Sequence, residues 1–145
     1  MALRLTSAAD YAILAMTHMA CLSEGAVARR SDIVRAHGLP SSFLAKILQS
    51  LVKAGLLRSN RGVDGGFVLA RPASEITLLD VIEAVEGPLA LAACTESPCA
   101  CDRLQECAAQ PVWLAVQSKM AELLRASTLE DLVSTPRRRR ALPGI

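Results

Sequence analysis

Aromatic side chains are almost missing from this chain: one Trp, one Tyr and two Phe make up 3% of its residues. A β-sandwich core, which leans on aromatic and β-branched residues, is disfavoured by that shortage. Hydrophobic residues still reach 52%, so the core must come from Leu, Ala, Val and Ile, a set that favours helices. Long apolar runs are also missing, and none approaches the length of a membrane span. Arg4 followed by the apolar stretch Tyr11–Leu22 has the outline of a signal peptide. Asp10, Thr17 and His18 interrupt it and no Ala-x-Ala site follows, so it reads as an amphipathic helix, and the chain as cytoplasmic. Histidine is scarce, with His18 and His37 the only two, both in predicted helical segments. No Cys–His pairing, phosphate loop or carboxylate dyad is present, and nothing points to an enzyme.

What the chain does have is an uneven distribution of charge. Its 145 residues carry a net +2 and suit one compact domain with an accessory segment. Residues 1–70 hold eight Lys/Arg against four Asp/Glu, residues 71–136 hold four against ten, and Arg137–Arg140 add four positive charges. A basic front half is suited to meet phosphate, while the acidic back half serves another purpose.

Helical periodicity fills most of the chain. Thr6 or Ser7 caps a first helix with Ala8, Tyr11, Ala12, Leu14, Ala15, Met19 and Leu22 as its apolar positions; Cys21, near its end, reads as a small buried hydrophobe. A second helix covers roughly Ser31–His37 and stops at Gly38. Leu39-Pro40-Ser41 opens a third, with Leu44, Ile47, Leu48 and Leu51 on one face and Ser42, Lys46, Gln49 and Lys53 on the other, and Gly55 closes it. Leu56–Ser59 and Phe67–Ala70 are strand candidates joined by about seven glycine-rich residues. Ile76-Thr77 begins a helix through Val85, which Gly87-Pro88 breaks. Residues 89–110 show no period, Pro111 starts a long helix, and Leu129–Val133 is a short closing one.

Two short helices meeting at His37-Gly38-Leu39-Pro40, with a hairpin at once behind them, spell a winged helix-turn-helix. The third helix then enters a major groove. Ser41, Ser42, Lys46 and Gln49 on its outer side have the hydroxyl, amide and ammonium groups that read base edges. Arg61, set among wing glycines, can follow a phosphate strand or enter a minor groove. The long C-terminal helix, with Val112, Trp113, Val116, Met120 and Leu123, is more apolar than one small domain needs. It suits a homodimer that reads a palindromic duplex. Arg137–Arg140 reads as a solvated tail with at most nonspecific phosphate contacts.

Five cysteines in a reducing compartment suggest metal binding rather than bridges. Four of them, Cys94, Cys99, Cys101 and Cys107, are spaced C-x4-C-x-C-x5-C. The paired C-x2-C of a zinc ribbon is absent. An irregular set of thiolates on a loop can wrap a cluster larger than one ion, with Thr95 and Ser97 available to its sulfurs. Spacing alone leaves iron–sulfur ligation and a four-thiolate zinc site evenly matched, with free redox thiols third.

Arg4-Leu5-Thr6…Asp10-Tyr11-Ala12, the wing Gly55-Leu56-Leu57…Arg61-Gly62…Gly65-Gly66-Phe67, and Ile82-Glu83-Ala84-Val85-Glu86-Gly87 before the cysteines together resemble the bacterial winged-helix iron–sulfur regulators, the family that includes IscR and NsrR. The likeness covers roughly residues 3–133. It implies a mainly α protein with a small β-hairpin. A winged helix-turn-helix would fill residues 1–86, a cluster loop 87–110, a dimerisation and closing helix 111–133, and a basic tail 134–145. It implies a DNA-binding transcription regulator, repressor or activator, whose operator affinity follows the state of a cluster. Three cysteines would hold that cluster. Five residues between the middle and last select Cys101 and Cys107, with Cys94 as the first, a spacing similar to regulators of the SUF assembly system. Cys99 is extra. Members with a 2Fe–2S cluster have His three residues after the last cysteine, where this chain has Gln110. A redox-sensing branch has His where this chain has Leu14. The nitric-oxide sensors place an Asp at the position of Asp10, which reaches the cluster from the other subunit. The resemblance thus implies a 4Fe–4S cluster in preference to 2Fe–2S, completed by Asp10 or Cys99. The alternative is a zinc-stabilised DNA-binding protein with no sensing cluster.

Overall fold

Thr6 begins the first helix as the sequence predicts: in the computed structural model its extended backbone lets Oγ1 accept from the amides of Ala8 and Ala9. That satisfies amides that have no partner inside the helix. The structure describes residues 5–97, 101–102 and 106–134. Helix α1 spans Ser7–Ala20, α2 Arg30–His37 and α3 Ser41–Lys53. Strands β1 (Leu57–Asn60) and β2 (Gly66–Leu69) follow, then a 3-10 turn at Ala73–Glu75 and α4 (Leu78–Glu86). A four-residue helix α5 (Ala93–Glu96), the long α6 (Gln110–Ala126) and α7 (Leu129–Ser134) complete the order.

The core is built from α1, α3 and α4, with α7 closing it. Met16, Ile33, Leu44, Leu48, Leu51, Val81, Ile76 and Leu129 are fully buried. Three alanines of α1, Ala9, Ala12 and Ala15, have no exposed surface, and their small side chains let neighbouring helices come close. The predicted stripe of α1 is displaced here. Ala9 and Met16 are buried, while Tyr11 and Leu14 are only half-buried and Leu22 is exposed. Helix α1 packs against α3, α4 and α7 together, so its covered arc is wider than a one-sided stripe. Cys21 is exposed, contrary to the expectation of a buried hydrophobe. At 100° per residue it stands about 140° round the helix from Met16.

Helix α4 starts with reciprocal bonds: the Asp80 amide donates to Thr77 Oγ1 (3.1 Å) and the Thr77 amide to Asp80 Oδ2 (2.9 Å). The closing segment is stitched beside this start, with the Leu78 amide donating to the Ser127 carbonyl and the Leu129 amide to that of Ile76.

The hairpin is tighter than expected. Asn60 pairs with Gly66, so the ladder gains a rung and the loop shrinks to Arg61–Gly65. A third segment joins it: Ala28 and Phe67 exchange amide–carbonyl bonds of 2.8 and 2.9 Å. The approach is so close at Gly66 that a Cβ there would lie 2.5 Å from the Ala28 carbonyl oxygen.

Candidate nucleic-acid interface and cysteine loop

The helix-turn-helix is defined by its turn. Gly38 ends α2 with φ +65° and ψ 30°, its amide bonded to the Val34 carbonyl. Few residues other than glycine take that conformation without strain. Leu39 is buried beneath the turn, and Pro40 sets α3 off in the new direction. No side chain caps the α3 amides, so its positive end is available to phosphate.

On α3 the apolar residues Leu44, Ile47, Leu48 and Leu51 are buried as predicted. That places Ser42, Lys46, Gln49 and Lys53 on the opposite, outer side. Ser41, Ser42, Lys46 and Gln49 are all exposed, and so is Arg61 in the wing. The side chains of Lys46, Gln49 and Arg61 make no hydrogen bond or ion pair with another described residue, which leaves their donors available.

The structure adds residues that the sequence reading did not single out. An open groove between the start of α2, the start of α3 and the wing is lined by Arg29, Arg30, Ser31, Ser41 and Gly65. Arg29 forms a solvent-exposed ion pair of 2.8 Å with Asp64 at the wing tip, which links the wing to the start of α2. Two adjacent arginines at the head of a helix were the available signal, but the pairing of Arg29 with a wing residue 35 positions away was not.

The cysteine loop is partly ordered by its own hydrogen bonds. Leu91 and Ala92 amides both donate to Thr95 Oγ1 at 3.1 Å, and that hydroxyl donates back to the Ala92 carbonyl. Thr95 therefore caps α5 and is not a free donor to cluster sulfur. The Leu91 amide also reaches Gln117 Oε1 on α6. Cys94 sits within α5; Cys101 and Cys107 lie in the connection to α6, and all three are free thiols and half-buried. Cys99 and Arg137–Arg140 lie outside the described residues. Among the described residues, no three His, Cys, Asp or Glu side chains come together, so Cys94, Cys101, Cys107 and Asp10 are not gathered within the single chain. The donor set suits iron in kind, since three unpaired, half-covered thiols are soft ligands without competing bridges.

Asp10 is exposed in the first turn of α1. Thr6, at the head of the same helix, donates a hydrogen bond from Oγ1 to Oε1 of Glu86, the residue at which α4 hands over to the cysteine loop. Gln110 is the first residue of α6, and its amide bonds the Cys107 carbonyl.

A helix-turn-helix with an exposed polar reading helix and a pinned hairpin wing defines a winged helix-turn-helix DNA-binding protein. The chain belongs to the Rrf2 family of iron-dependent transcriptional regulators, whose model matches residues 5–135. A protein of Mycobacterium tuberculosis named as an HTH-type transcriptional regulator is 35% identical over 130 residues, 90% of this chain and 81% of that protein. The protein aau3 of Rhizobium meliloti is 38% identical over 132 residues, covering 90% and 85%. Among solved structures, IscR of T. potens superimposes with a TM-score of 0.76 at 26% identity, over 98% of this chain and 94% of that one. CymR, the global cysteine regulator of B. subtilis, does so with a TM-score of 0.75 at 26% identity, over 92% and 98%. This protein is a DNA-binding transcription regulator and not an enzyme.

Proposed function

We propose that the chain works as a homodimer that binds a palindromic operator under the control of an iron–sulfur cluster held by Cys94, Cys101 and Cys107. In this reading residues 1–86 read DNA, 87–110 carry the cluster, 111–133 join the two copies, and 134–145 form a basic tail. The observation that carries it is the junction at Glu86. The cysteine loop begins where α4 ends, and α4 packs against both α1 and the reading helix α3. A change of loop order is then felt by α1, and through it by α3. A cluster, when bound, supplies a group open to oxidation, nitrosylation or loss. Asp10 or Cys99 completes the ligand set, and a 4Fe–4S type is favoured over 2Fe–2S because Gln110 is a poor substitute for an imidazole ligand.

Dimerisation is supported by what α6 leaves uncovered. Val112, Val116, Met120 and Leu123 fall within about 80° of arc, on the side away from buried Ala121, and are 59%, 44%, 37% and 70% exposed. DNA contact extends in this reading from Ser41, Ser42, Lys46, Gln49 and Arg61 to Arg29, Arg30 and Ser31 beside the wing.

Anaerobic purification with iron and sulfide analysis, paired with operator binding before and after cluster removal, tests the reading. Visible absorption with iron and sulfide, and an operator affinity that changes when they are removed, is expected. Stoichiometric zinc with neither iron nor sulfide overturns the cluster assignment in favour of the zinc-stabilised alternative.

A further inference from the structure

The two histidines of the chain meet in space although they lie 19 residues apart. His18, in the last turn of α1, presents Nδ1 at 3.3 Å from Nε2 of His37, in the last turn of α2. The rings stand edge to face, with centroids 5.3 Å apart and planes at 79°. Both are half-buried, and neither ring has another described hydrogen-bond partner.

We propose that His18 Nδ1 and His37 Nε2 form a two-imidazole binding site for a divalent transition-metal ion of the zinc type, completed by water. The separation fits: two nitrogens bound to one Zn2+ at tetrahedral angle are about 3.3–3.4 Å apart. Imidazole is the ligand this ion class prefers among nitrogen and oxygen donors. The described residues bring no third protein ligand, so the remaining positions belong to solvent at this half-covered spot.

The site is separate from the cysteine loop. Thr6, which meets Glu86 beside that loop, is twelve residues from His18, about 18 Å of helix. His37 immediately precedes Gly38, the turn of the helix-turn-helix. A metal at the pair ties the end of α1 to that turn and fixes the angle at which α2 and α3 leave the body. Metal binding at the histidine pair is independent of what the cysteines bind.

The test uses the full chain, purified anaerobically with its cysteine loop as loaded, and labelled at histidine for ring-resolved NMR. Because there are only two histidines, both signals are assigned by His18→Gln and His37→Gln. Zinc chloride is then titrated. Zinc taken by the cysteines leaves the ring signals in place, which separates the two events. Saturation of both rings in one concerted step is expected, with the proton held on Nε2 of His18 and Nδ1 of His37. Either glutamine variant, folded by circular dichroism, is expected to weaken zinc binding at the other ring by more than about tenfold. Ring signals that stay in place beyond cysteine saturation, or one ring that shifts unchanged when the other is replaced, overturn the proposal. The pair is then an N–H···N hydrogen bond between helices and no more.

Discussion

Leu123→Ala tests the assembly most directly. Leu123 stands 70% exposed on the outer side of α6, and a partner helix laid along the Val112–Leu123 stripe would cover it. Fully burying a leucine is worth about 1.5–3 kcal/mol, so covering the exposed share contributes about 1–2 kcal/mol per protomer. A two-fold interface counts each residue twice, which makes about 2–4 kcal/mol per dimer, or a dissociation constant raised about 30- to 1,000-fold. Alanine is the best helix former, so α6 itself persists and the loss belongs to the interface. Sedimentation equilibrium across a concentration series measures the constant, and circular dichroism checks the helix. A wild-type chain that stays monomeric at micromolar concentration, or a Leu123→Ala dimer as tight as the wild type, would refute the reasoning that this stripe faces a second copy.

Replacing Lys46, Gln49 or Arg61 by Ala is expected to change stability by less than about 0.5 kcal/mol, since all three are exposed. Loss of a base-edge contact should cost about 1–3 kcal/mol of operator affinity in an anisotropy titration; unchanged binding in all three variants removes helix and wing from the reading surface. Single Cys→Ala changes at 94, 101 and 107 are expected to bleach the visible spectrum, with Cys99→Ala retaining most of it and Asp10→Ala altering it. The reverse pattern at 99 and 10 would mean that each chain closes its site with four cysteines. Gly66→Ala should destabilise the fold by about 1–3 kcal/mol in urea unfolding, because its new methyl would meet the Ala28 carbonyl and the Val27 side chain; a neutral result would disprove that close approach. Hydrogen bonds from the backbone and hydroxyl of Thr128 hold the Asp131 carboxyl below its ordinary value. Its stabilising effect is complete above the ordinary, unfolded-state value and fades as pH falls through the lower folded one. Asp131→Asn should therefore flatten the acid limb of the stability curve, and an identical limb in the variant would count against this cap.

Much of the molecule was legible because it is written in short-range pattern. The buried face of α3, the Thr6 cap, the glycine stop of α2 and the proline-led start of α6 each depend on residues within a turn of one another. The candidate reading residues followed, since outward positions are those left over once the apolar ones are placed. The cysteines were legible as chemistry but not as a site: four thiols in one stretch state a ligand type, whereas the path of the chain that would bring them together is not fixed by their spacing.

What the sequence by itself determined is the order of helices and hairpin, which faces are apolar, and which side chains are of a kind suited to DNA and to metal. Helical period and capping are local, so no partner is needed to read them. Tertiary structure alone decided the pairings across distance: Ala28 with Phe67, Arg29 with Asp64, Thr6 with Glu86 and His18 with His37. It also turned Cys21 to solvent and left the α6 stripe uncovered within one chain. Each outcome depends on the angle at which one helix crosses another, and that angle is set by packing of the whole core rather than by any residue's neighbours in sequence.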